Sequence, residues 1–348
     1  MTSTRRSVIL LGSIMLTSGA FIALLFFVST YEKNDPTGFV REKPPHPALP
    51  HGAMDLGYNS FYLAGGDDEG FYLANSMVPT LLLRLDYSLS DTTHIRLKIP
   101  ESIGVAQSVK IHVNQDKVYF MEGHRPIKMW GSTSDYVIDR ITDTTTYFAN
   151  SVPISPNLSI GTLYDNWDKK MVLAAKAVEK DISPAPEVLK KQIDGIFCVD
   201  GQLSYDYQTG TVAYVYFYRN EFIRLDTSLN VAFRGHTIDT ISRVRLSVET
   251  IASSSDITMS SPPYTVNRLS CISGDWLYVN SALRASNDEE YTLEETHPID
   301  VYNLTTGEYK HTIYIPKFRK AKLSSLRVFG DHLVVVMGNV VQTYMLRM

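Results

Sequence analysis

The sequence predicts an all-β fold, a six-bladed β-propeller behind an N-terminal transmembrane helix. Three observations carry this. One hairpin register recurs along the chain. Tyr (21) and Phe (14) are plentiful among 348 residues, a composition that suits strands. A single long apolar run stands at the N-terminus, well apart from the recurring units.

That run extends from Val8 to Thr30 and follows Arg5-Arg6. It has roughly the 20 residues needed to span hydrocarbon. A cleaved signal peptide has a shorter apolar region and an A-x-A-like site, which Val28-Ser29-Thr30 matches poorly. The expected organisation is therefore 1–7 cytoplasmic, 8–30 a signal anchor, 31–54 a Pro-rich tether and 55–348 the propeller. Cleavage after Ser29 or Thr30 is the competing reading. Basic residues stay on the cytoplasmic side, which puts the propeller outside the cytoplasm, on the periplasmic side of an inner membrane. Pro36, Pro44, Pro45, Pro47 and Pro50 give the tether its extended character. His46 and His51 lie within it and read as solvated linker histidines, because nothing nearby would orient them on a metal.

Four stretches share the register: Lys110 to Phe120, Ile196 to Tyr205, Leu269 to Tyr278 and Ser325 to Val334. Each reads as strand, short Gly- or Asp-containing turn, strand; both residue types accept positive φ. Residues 273–316 extend one copy to most of a blade, with strands at 276–279, 299–302 and 311–315. Asn59 to Ile99 is less regular, with turns at GGDDEG and DYSLSD. Met171 to Gln192 has a helix-like Ala-Lys-Glu composition, but Pro184 and Pro186 favour a hairpin. Six units over 55–348 give about 49 residues each, near the usual blade length. Five or seven blades lie within the error of that count, and a β-sandwich is the structural alternative. The last unit offers three strands, so the strand-like 57–64 is expected to pair with it and close the ring.

Some residues suggest a family. They are Gln192-Ile-Asp194-Gly195, Cys198-x-Asp200-Gly201, Val215-Tyr-Phe-Tyr-Arg219-Asn220, Gly235-x-Thr237-Ile238-Asp239-Thr240, Ile299-Asp-Val-Tyr302 and Gly330-Asp331. Together they cover roughly the last 160 residues. On these the chain resembles six-bladed propellers of the TolB/NHL-like kind, and more closely an uncharacterised group of bacterial envelope-anchored propellers. The resemblance implies a fold and an envelope location but no catalytic residue. A more distant link to quinoprotein dehydrogenase propellers rests on fold alone.

His112, Cys198, Cys271 and Arg327 fall at one register of four units, a row that would ring the propeller axis. His112 and Arg327 are accordingly candidates for facing a central tunnel. The bland alternative is burial between blades. A second candidate group is Arg219, Asn220, Arg234, His236 and Asp239, at a turn and just beyond the following strand. There they could hold an anionic group or merely cap a hairpin. Cys198 and Cys271 are expected to be free thiols, because equal heights on successive blades lie too far apart for a disulfide. The acidic loops at 67–69 and 288–295 lack calcium-ligand spacing and read as solvated. The basic stretch Lys317, Arg319, Lys320 and Lys322 reads as solvated surface.

The net charge of −4 gives no reason to expect nucleic acid. Two cysteines make no disulfide framework, and G-x-S-x-G, H-E-x-x-H and the phosphate-binding loop are missing. No cofactor or metal is expected. The reading is a membrane-anchored binding or scaffolding module of a bacterial envelope complex, with a protein partner or small ligand on a propeller face. The alternative is a propeller enzyme of the quinoprotein-dehydrogenase or lactonase kind.

Overall fold

A computed structural model describes residues 2–34, 38–250 and 257–347. Helix α1 spans Thr2–Asn34. The apolar side chains described on it, among them Leu11, Met15, Leu16, Ile22 and Phe26, are exposed. Among the described residues no helix is long and apolar enough to cross a membrane.

Six four-stranded antiparallel sheets follow. The first blade is β2 (Phe61–Gly66), β3 (Gly70–Asn75), β4 (Leu81–Asp86) and β5 (Thr92–Arg96). The second is β6 (Lys110–Asn114), β7 (Lys117–Glu122), β8 (Ile127–Ser132) and β9 (Ile138–Asp143). The third is β10 (Asn150–Ser155), β11 (Leu158–Asp165), β12 (Lys170–Ala177) and β13 (Ile182–Ala185). The doubtful Ala-Lys-Glu stretch is thus strand, in register Leu173↔Ala185 to Lys176↔Ile182. The fourth blade is β14 (Gly201–Asp206), β15 (Thr211–Tyr216), β16 (Glu221–Leu225) and β17 (Val231–His236). A separate hairpin, β18 (Val248–Thr250) with β19 (Ile257–Met259), precedes the fifth blade. That blade is β20 (Asn267–Ser273), β21 (Trp276–Ser281), β22 (Thr296–Asn303) and β23 (Tyr309–Pro316), with a short α2 (Thr292–Glu295) between β21 and β22.

The sixth blade is made from both ends of the chain. β24 (Leu323–Phe329), β25 (His332–Met337) and β26 (Val340–Leu346) are joined on the outside by β1 (Ala48–Asp55). The register runs from Ala48↔Leu346 to Asp55↔Val340. This corrects two expectations. The closing strand is 48–55, inside the stretch read as a tether, and 57–64 does not pair with the last unit. Gly57, at φ 74°, turns the chain after β1, and Phe61–Gly66 becomes the inner strand of the first blade. Pro50 is tolerated because β1 is an edge strand, where a missing N–H faces no partner. His51 lies on β1, its ring 5.8 Å from that of His332, so it is no linker residue either.

First strands of neighbouring blades pack closely at five of the six seams, all but that between β6 and β10, so they ring the axis. Apolar layers fill five of the seams: Ile111 and Phe120 against Leu82, for example, and Cys271 and Tyr278 against Leu326 and Val335. The seam between the second and third blades is more polar. There Lys128 donates to Ser159 (2.7 Å) and pairs with Asp143 (3.6 Å). Gly65 shows how tight the inner ring is: a Cβ at that position would lie 1.8 Å from the Val113 carbonyl oxygen, so any side chain would force β2 from β6.

Candidate functional site

The loops that join first to second strands gather at one end of the axis. Gly274 (φ 58°) and Gly330 (φ 54°) make two of these turns, as the recurring register implied. Between them opens a recess of about 270 Å³. His112 and Arg327 both line it, with Val113, Tyr205, Tyr207 and Ile272 among the walls. The two residues picked from register alone therefore meet at the axis.

Both are half-buried. The His112 Nε2 atom is closed to solvent and has no hydrogen-bond partner. Burial pushes the imidazole down to about 3, and the positive charges of Arg327 and Lys110 add to this, so His112 is neutral at physiological pH. Among the described residues the Arg327 guanidinium makes no hydrogen bond, ion pair or ring contact. Tyr205 and Tyr207 pack edge to face at 4.5 Å. The Tyr207 hydroxyl donates to the Pro153 carbonyl at 2.9 Å, and burial holds its pKa well above the usual phenol value. At the rim, Asp67 caps its own hairpin, accepting from Glu69 N and Gly70 N, and meets Arg84. Asp206 likewise accepts from Gln208 N and Gly274 N, while Asp68 is exposed.

The other candidate group sits at the opposite end of the fourth blade. Arg219 is fully buried, stacked 3.4 Å over the Tyr216 ring. It donates to Glu221 (2.8 Å), the Cys198 carbonyl (3.1 Å) and the Lys190 carbonyl (3.0 Å). Arg234 donates to the same Glu221 and to the Val188 carbonyl. Asn220 Nδ2 donates to the Asp239 carbonyl, and His236 Nδ1 lies 3.0 Å from the Asn220 carbonyl. Asp239 accepts from Ile241 N and from the Thr237 hydroxyl, with burial raising its pKa. Most polar groups of these five residues go to Glu221, to one another and to local backbone, and the buried Asn220 Oδ1 is left without a partner among the described residues. The five fasten the β15–β16 loop to the chain after β17, and they do not meet His112 or Arg327.

Cys198 does not share the axial register. The inner hairpin of the fourth blade turns at 207–210, whereas Asp200-Gly201 opens β14. Cys198 Sγ accepts from Gln192 N and sits in the layer between the third and fourth blades. Cys271 lies between the fifth and sixth, where burial pushes its thiol up to about 12. Both thiols are free and buried.

A heavily paired buried charge lies where the sequence pattern pointed to no site. Arg41, inside the Pro-rich stretch, is 1% exposed. It reaches Asp300 (2.8 Å), Asp288 (2.6 Å) and the Leu283 carbonyl (3.1 Å). Burial alone would lower its pKa; Asp300 and Asp288 together raise it instead, well above its ordinary value. Asp288 is consequently no solvated loop residue, and it also accepts from the Tyr314 hydroxyl. One signal was present: Asp300 stands between Ile299 and Val301 in a strand that reads as half-buried, and a buried carboxylate demands a cation.

Among the described residues no three His, Cys, Asp or Glu side chains converge as a metal site.

No family model matches the chain, and no match to a curated protein was found. Solved structures do match. A member of the DUF4221 family from Bacteroides vulgatus is similar at 13% identity and TM-score 0.50, over 90% of this chain and 99% of that one. Virginiamycin B lyase from Staphylococcus aureus is similar at 10% identity and TM-score 0.46, over 85% and 98%. BamB from Moraxella catarrhalis is similar at 12% identity and TM-score 0.37, over 90% and 98%. At such identities the first of these supports the fold alone. The chain is a six-bladed β-propeller.

Proposed function

We propose that this chain is a membrane-anchored binding module of a bacterial envelope, working through the axial recess and without chemistry of its own. The observation that carries the reading is the recess itself. It is built on the ends of rigid inner strands, and it contains an arginine that pairs with nothing among the described residues, beside a neutral histidine. Among the described residues no three His, Cys, Asp or Glu side chains converge there, as the metal of a lactonase-like enzyme would need. The anchor reading is supported by Arg5-Arg6 and by the exposed apolar side chains of α1. The arm that follows α1 enters at the end opposite the recess: Phe39 packs on Ile241, Val266 and Leu283, in the loops of that far face. An anchored propeller would thus turn its recess away from the bilayer.

Affinity capture with the full chain from solubilised membranes tests this. The chain is expected in the membrane fraction and to bring down a partner. Gln208→Trp, at the exposed rim, should abolish that capture while leaving the fold intact. Capture unaffected by Gln208→Trp would remove the recess from the reading. A soluble product beginning near Tyr31 would remove the anchor.

A further inference from the structure

We propose that the axial recess binds a small organic monocarboxylate, seated on the Arg327 guanidinium with its body against Tyr205 and Tyr207. This rests on the reading of the recess as the binding site and names its ligand class.

The argument begins from what Arg327 lacks. A guanidinium carries five N–H donors and cannot lose its charge. Removing it from water without an acceptor is costly, which is why buried arginines are ordinarily paired. Arg41 and Arg219 obey that rule in this chain, each held by carboxylate and carbonyl oxygens. Arg327 is half-buried and pairs with nothing among the described residues. Its neighbour His112 is also short of a partner at Nε2. A guanidinium left wanting at an open recess marks where a ligand completes the set, while the enclosed His112 Nε2 lies out of its reach.

The planar fork of arginine matches a carboxylate in two parallel hydrogen bonds. The rim limits the ligand's charge. Asp67, Asp68 and Asp206 face the same opening, so the lining carries more negative than positive charge. A phosphate monoester or dicarboxylate would meet that repulsion twice over, whereas a single carboxylate can be neutralised by Arg327. About 270 Å³ accommodates a body of one ring or a short chain. Tyr205, Tyr207, Val113 and Ile272 offer it aromatic and aliphatic surface.

The test is fluorine NMR on the purified full chain in detergent, with fluorophenylacetate as probe. Saturable broadening, reversed by unlabelled phenylacetate, is expected. Arg327→Met should weaken binding about tenfold or more, as loss of a charged hydrogen-bond pair does. Arg327→Lys, which keeps the charge without the fork, should fall between. Fluorobenzylphosphonate should bind more weakly and fluorobenzylamine not at all. Asp68→Lys, an exposed substitution that leaves the fold undisturbed, should tighten carboxylate binding by relieving repulsion; it decides the matter if Arg327→Met does not fold. The proposal is overturned if the carboxylate does not bind saturably or if Arg327→Met binds it unchanged. Tighter binding of the phosphonate, or no gain from Asp68→Lys, overturns it equally. Carboxylate binding without any membrane partner would leave this proposal standing and fell only the docking of a partner. Capture of a partner without carboxylate binding would do the reverse.

Discussion

Arg41 and Arg327 are the same side chain in two settings. Arg41 is enclosed by Asp288, Asp300 and a carbonyl, and it ties residues 38–43 to the fifth blade. Arg327 lies in an open recess and, among the described residues, reaches no acceptor. The first arrangement is what a fold does with a buried charge: supply partners until nothing remains to bind. The second leaves binding capacity at a surface reachable from solvent. Charge and residue type do not distinguish the two arginines; satisfaction of their hydrogen-bond donors does. Arg219 and Arg234 fall with Arg41 by the same measure, each held by Glu221 and backbone carbonyls.

The largest effect expected from the Arg41 side comes from removing its whole segment. A chain cut to start at residue 35 keeps Arg41 and β1 and should melt as the full chain does. A chain cut to start at residue 56 loses both, and exposes the β26 edge along its full length. It should aggregate or fail to fold, visible in calorimetry and size-exclusion profiles. Equal melting of the two would mean that the arm is passive and the comparison has no structural half.

Single substitutions come next. Arg41→Ala strands two buried carboxylates and should cost about 3–5 kcal/mol in chemical denaturation. Arg327→Met strands no partner, and its effect should stay within about 0.5 kcal/mol. If both cost the same, Arg327 has structural partners and is not poised for a ligand.

The contrast also explains what could be read from the sequence. Blade number and the turns at Gly274 and Gly330 were legible because a hairpin is local: its glycine, its turn and its flanking strands lie within about ten residues. His112 and Arg327 were found by the same locality, since equal distance from an inner turn fixes equal height on the axis. Cys198 was misplaced because Asp200-Gly201 resembles such a turn but ends a loop ahead of β14, in which Asp194 accepts from Ile196 N and Phe197 N. Arg41 and β1 were not legible. Their partners lie some 250 and 290 residues away, and proline composition reports only extended backbone without saying what the chain lies against. Arg219, Asn220 and Asp239 looked like a site because polar loop residues do so until their hydrogen bonds are counted.

Acid should weaken the fold at particular histidines. His297 is held down to about 4 by burial, with Lys317 and Arg268 adding to it against the Ala321 carbonyl. The unfolded chain binds a proton near 6.5, the folded one only near 4, so this contribution is complete above pH 6.5 and is lost as pH falls towards 4. His112 acts in the same sense down to about 3. His297→Gln should flatten the loss between pH 6.5 and 4 by on the order of 2 kcal/mol. A pH–stability curve unchanged in that variant would show His297 already protonated in the fold.

The smallest effect is expected at Arg84. Arg84 faces two carboxylates, Asp67 at 3.4 Å and Glu69 at 3.0 Å, as Arg41 faces two. The difference is water: the Arg84 side chain is 35% exposed and that of Glu69 83%. In solvent, Coulomb attraction is screened, and ordering two long side chains offsets much of what is left. Glu69→Ala should therefore change stability by no more than about 0.5 kcal/mol, and less in high salt. Partner number alone would predict a cost like that of truncating one carboxylate at Arg41. If Glu69→Ala proved as damaging as Asp300→Ala, burial would not be what distinguishes the arginines, and an unpartnered, half-buried Arg327 would lose its claim to a ligand. A small salt-sensitive change leaves burial as the deciding variable.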